Sequence, residues 1–85
     1  MSEEMLKFGE YVFGKVTGMC KEFLRKGEDE GLRSGEIIFT IAYGLLASVV
    51  SLYRSAGMPD DESKHKIKDM LNRMYSGDGD NKEES

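Results

Sequence analysis

A chain of 85 residues with a net charge of −4, one cysteine and one histidine is one small domain, too short to bury a large core. A single thiol excludes an intrachain disulfide, and one thiol with one imidazole is too few soft ligands for a structural zinc site. Sixteen Asp and Glu against twelve Lys and Arg disfavour direct binding to nucleic acid, whose affinity rests on phosphate neutralisation.

Small domains supplement their cores with disulfides, metals or a second subunit, so self-association is the supplement left. The start, Met1-Ser2-Glu3-Glu4, lacks the basic and then apolar regions of a secretory signal. Together with the lone thiol this points to a reducing, cytoplasmic setting.

Met5, Phe8, Val12, Val16, Met19 and Phe23 recur at spacings of three and four, which predicts an amphipathic helix from Ser2 to Lys26. Ser2 is its expected N-cap, and Glu3, Glu4, Arg25 and Lys26 suit the helix dipole. Gly9, Gly14 and Gly18 each weaken it by up to ~1 kcal/mol relative to alanine. Gly9, inside the apolar arc, would let a second helix approach closely. Gly27 is the expected C′ residue, and the polar stretch from Gly27 to Gly31 reads as a loop.

A second helix is expected from Gly35 to Ala56, capped by Ser34 and stopped by Gly57-Met58-Pro59. The 17 residues from Ile37 to Tyr53 carry no charge. Thr40, Gly44, Ala47, Ser48 and Ser51 form a narrow stripe of small residues on this helix, a candidate packing seam or dimer interface. Ile38, Ile41, Leu45, Val49 and Leu52 lead a much wider apolar arc. The run is a little short for a ~30 Å hydrocarbon core, although the stripe is similar to the packing motif of membrane helices. Amphipathic partners on both sides in sequence favour a buried helix in a soluble bundle. A third helix, from Asp60 or Asp61 to Tyr75, follows from Ile67, Met70, Leu71, Met74 and Tyr75. Residues 78–85 are charged and lack apolar side chains, so a disordered acidic tail is expected. The domain is then 1–77.

No constellation for catalysis stands out. Cys20 lies on the apolar arc of the first helix, where a core cysteine is expected rather than a nucleophile. His65 lies off the apolar face of its helix. In Lys64-His65-Lys66-Ile67-Lys68 the residues Lys64 and Lys68 share one edge of the helix, His65 and Lys66 point elsewhere and Asp61, Glu62 and Asp69 are interleaved, which suits a solvated helix surface. Met5, Met19, Met70 and Met74 read as core filler. Asp78-Gly79-Asp80-Asn81 begins like a calcium loop, but the acceptors such a loop needs further on are missing.

The expected fold is therefore all-α: a three-helix bundle of two long helices and one shorter one. Its second helix has an apolar arc too wide for its neighbours to cover. The expected function is non-enzymatic protein–protein interaction, as an adaptor, inhibitor or accessory subunit acting through helix faces. The expected partners are a second copy in a homodimer and a further protein, with no cofactor and no metal. The alternative is a small membrane-associated protein with residues 37–53 in the bilayer.

Overall fold

A computed structural model of the chain describes residues 2–76. It is all-α among the described residues, with α1 at Glu3–Asp29, α2 at Ser34–Ser55 and α3 at Asp60–Ser76. The expected tail at 78–85 lies outside the described residues. Packing divides the chain within α2: one unit runs through Leu46 and a second begins at Ala47.

In the first unit α1 opens on Ser2, whose backbone is extended and whose Oγ accepts from the Met5 N–H at 3.1 Å. This satisfies one of the orphan donors of the first turn. The helix does not stop at Gly27 as expected. It runs to Asp29 and closes in a Schellman motif, with the Leu32 N–H donating to the Gly27 carbonyl and the Gly31 N–H to the Glu28 carbonyl, both at 3.0 Å. Gly31, at φ +80°, occupies the left-handed C′ position. The polar stretch from Gly27 to Gly31 is mostly the last helical turn rather than a loop, because two glycines compete for one role and the second takes it.

Gly27 serves packing instead. It is buried, and a β-carbon there would lie 2.7 Å from Cγ1 and 2.8 Å from Cδ1 of Ile37. Gly9, Gly14 and Gly18 have nothing within 4 Å of that position, so the close helix approach is at Gly27 and not at Gly9. The better-covered residues on α1 are Val16, Thr17, Cys20, Leu24 and Gly27, and on the first half of α2 Ile37, Ile41 and Leu45. Both sets follow near-i+4 ridges, the rows by which helices interdigitate. Cys20, expected in the core, is half-buried within this row. From Ser2 to Lys15 every residue of the chain is exposed.

At the start of α2 the expected cap shifts by one residue. Ser34 is already helical, and the Arg33 N–H donates to Glu36 Oε1 at 3.0 Å. This is the reciprocal half of a capping box, in which the acid three residues on reaches back to the cap.

In the second unit α2 ends as the sequence implies. Gly57 has φ +82°, its N–H donates to the Arg54 carbonyl, and the Met58 N–H reaches the Tyr53 carbonyl. Pro59 precedes α3, where its missing donor costs no helical bond. Arg54 in the last turn of α2 meets Asp60 in the first turn of α3 through two hydrogen bonds, Nε to Oδ1 and Nη2 to Oδ2, each 3.1 Å. Ser63 is buried, and its hydroxyl donates to the Asp60 carbonyl at 3.1 Å. Val49, Val50, Tyr53, Met58 and Ile67 are half-buried.

Candidate functional site

The feature that dominates this molecule is how little of its apolar surface is covered. Ile37 is the only buried hydrophobic residue among those described. The arcs that periodicity assigns to a core are present, but each is covered along one edge alone. On α1 the seam takes Val16, Cys20 and Leu24 and leaves Met5, Phe8, Tyr11 and Phe13 each more than half exposed. On the first half of α2, Ile38, Phe39 and Tyr43 are likewise more than half exposed.

These side chains are arranged, not scattered. Phe8 and Tyr11 stack with centroids 6.4 Å apart, and the Lys15 ammonium sits 5.8 Å from the centre of the Tyr11 ring. Phe39 and Tyr43, one turn apart, lie at 6.1 Å. An exposed aromatic ring withholds much of the ~150–250 Å² that it buries inside a protein. The uncovered apolar surface of this unit is therefore on the order of 1,000 Å², comparable with the ~800 Å² per partner of a stable interface.

The small-residue stripe is also open. Thr40, Gly44, Ala47, Ser48 and Ser51 are all exposed, and a β-carbon at Gly44 would meet nothing within 4 Å. The Thr40 hydroxyl donates back to the Glu36 carbonyl at 2.8 Å.

The second unit holds a groove of about 500 Å³. Val50, Ile67 and Leu71 supply apolar lining, and Arg54, Lys64 and Lys68 bring three cations. Asp60 is the one carboxylate of the lining, and it is engaged by Arg54. The two guanidinium hydrogen bonds, then the charge attraction, hold the Asp60 carboxyl below its ordinary range. The basic cluster that reads as solvated surface in the sequence thus has a local direction. Lys64 and Lys68, one turn apart, lie along one edge of the strip of Ile67 and Leu71 with Asp61 next to Lys68, whereas Glu62 and Asp69 fall on the other side at 100° per residue. The i,i+4 spacing of the two lysines was the available signal. The contribution of Arg54 depends on a turn and could not be read from spacing.

Among the described residues no three His, Cys, Asp or Glu side chains are gathered so that they could hold a metal ion. Comparison with protein-family models, curated proteins and solved structures finds no match.

Proposed function

We propose that this chain is a non-enzymatic interaction protein that works through helix faces and completes its own core as a homodimer in the cytoplasm. One observation carries the reading: large apolar side chains on α1 and the first half of α2 are more than half exposed. Water contact with such surface is unfavourable by about 25 cal/mol per Å², and a second copy presents the same faces for mutual burial. An adaptor, inhibitor or accessory subunit would use what the dimer leaves open to hold a further protein. Sedimentation equilibrium of the full chain without detergent tests the first step. A dimer with a concentration-dependent melting temperature is the expected result, and a monomer throughout the micromolar range overturns it.

A second reading has an observation in its favour. α2 is long and apolar enough to cross a membrane by length and composition, and Ile37 is its only buried residue. Against insertion, α1 packs on the start of α2 at Gly27 and Ile37 and carries Lys21, Glu22, Arg25 and Lys26 in the turns that lead to this contact. Taking such groups to the bilayer centre costs ~3 kcal/mol each. Cell fractionation separates the two: a chain that pellets with membranes and needs detergent for release supports the second reading.

A further inference from the structure

The groove of the second unit is polar toward one end and apolar toward the other. Arg54, Asp60, Ser63 and Lys64 lie toward the turn that joins α2 to α3, and Ile67 and Leu71 continue along α3 away from it. Val50, one turn before Arg54 on α2, adds to the apolar part. Lys64 and Lys68 line one edge, and the stems of such side chains cover apolar surface while their ammonium groups stay in water. Asp61 shares that edge but falls outside the lining. In a chain of net charge −4 the lining gathers three cations against one carboxylate. Both oxygens of that carboxylate accept from Arg54. The groove is thus a local cationic site in an acidic protein, and low-dielectric walls of one charge sign concentrate ligands of the other.

Its dimensions narrow the ligand further. The α3 wall from Asp60 to Leu71 is about 17 Å long at 1.5 Å per residue. A volume of about 500 Å³ over that length leaves a mean cross-section of roughly 30 Å². A helix, about 10 Å across with its side chains, is too thick to be enclosed there, whereas one extended hydrocarbon chain fits. The volume is that of a small-molecule site, in which apolar walls are paired with a few polar groups that fix orientation.

We propose that the groove between α2 and α3 binds a single-chain anionic amphiphile, a free fatty acid, whose carboxylate meets Lys64 and Lys68 and whose chain covers Val50, Ile67 and Leu71. Burial of the chain supplies the affinity, and the two ammonium groups select the sign of the head and its place in the groove. Asp60 does not repel that head, because Arg54 neutralises it. The site lies wholly in the second unit, whereas the exposed rings of α1 and the first half of α2 belong to the first.

The test adds decanoate, below its micelle-forming concentration, to the isotope-labelled full chain and follows the backbone amides by NMR. Shifts should gather at Val50, Lys64, Ile67, Lys68 and Leu71. Decyltrimethylammonium, with a chain of similar length and the opposite charge, should bind at least about tenfold more weakly at low salt. Lys64→Gln/Lys68→Gln should weaken decanoate by about tenfold or more. Lys21→Gln/Lys66→Gln removes the same charge from exposed positions outside the lining and should leave binding unchanged. Shifts confined to the exposed rings of the first unit overturn the proposal, as does equal binding of the two amphiphiles or a groove variant that binds like the wild type. Capture of the chain by phosphatidylglycerol vesicles with no response to decanoate also overturns it, and makes the groove a bilayer contact instead. The shifts are read residue by residue in monomer or dimer alike, so their failure leaves the homodimer reading standing.

Discussion

Gly27→Ala should destabilise this protein, although alanine is the better helix former. In an open helical position the change gains ~0.8–1 kcal/mol of propensity. At Gly27 the new β-carbon would lie 2.7 Å from Cγ1, 2.8 Å from Cδ1 and 3.2 Å from Cγ2 of Ile37. Cδ1 can swing away, but Cγ1 and Cγ2 are fixed by a β-branched side chain that is stiff at χ1. The helices must move apart, and overpacking of this kind costs ~1–3 kcal/mol. At the middle of that range the net loss is ~1 kcal/mol, or roughly 4–8 °C in melting temperature for a domain of this size. Gly14→Ala is the internal control, since nothing lies within 4 Å of its β-carbon position. It should gain up to ~1 kcal/mol. Urea and thermal unfolding, followed by circular dichroism at one fixed protein concentration, measure both. Ile37→Ala removes all three facing atoms, so in that background Gly27→Ala should turn from loss to gain, a coupling of at least ~1 kcal/mol. Equal effects of alanine at positions 27 and 14, with no coupling to Ile37, would refute the close approach of α1 and α2.

Three further outcomes follow from other parts of the chain. Gly44→Ala should raise stability by up to ~1 kcal/mol, since the stripe from Thr40 to Ser51 is open; dissociation of the dimer by Gly44→Leu in sedimentation would instead move the interface onto that stripe. The Asp60 carboxyl, followed by NMR, should titrate below the ordinary carboxylate range because of Arg54 and return to it in Arg54→Met. A carboxyl depressed in the folded state stabilises the fold above its unfolded value near ~3.9, and that contribution is lost as pH falls through the folded value; an unchanged titration in the variant would show that the pair has no effect in solution. Deleting residues 78–85, which carry no apolar side chain, should leave helicity and melting temperature nearly unchanged, and a large loss of stability would mean that the segment docks on the body.

The number and kind of elements were legible in the residues themselves. Periods of three and four, the Ser2 cap and the Gly57-Met58-Pro59 stop are local features, and local hydrogen bonds enforce them. The same local grammar could not choose between Gly27 and Gly31 as the end of α1. Either glycine can take the left-handed conformation, and what separates them is Ile37, ten residues beyond Gly27 and on another helix. Burial was the larger miss. Periodicity reports which side of a helix is apolar but not whether anything covers it, so Cys20 reads as a core residue when it is half-buried. The gathering of Arg54 with Lys64 and Lys68 around Val50, Ile67 and Leu71 needed the turn at Gly57 to fold α3 back toward α2. Sequence determined the helices, because a helix is held by contacts four residues apart. The tertiary structure decided which faces are left for a partner, because coverage depends on residues far apart in the chain.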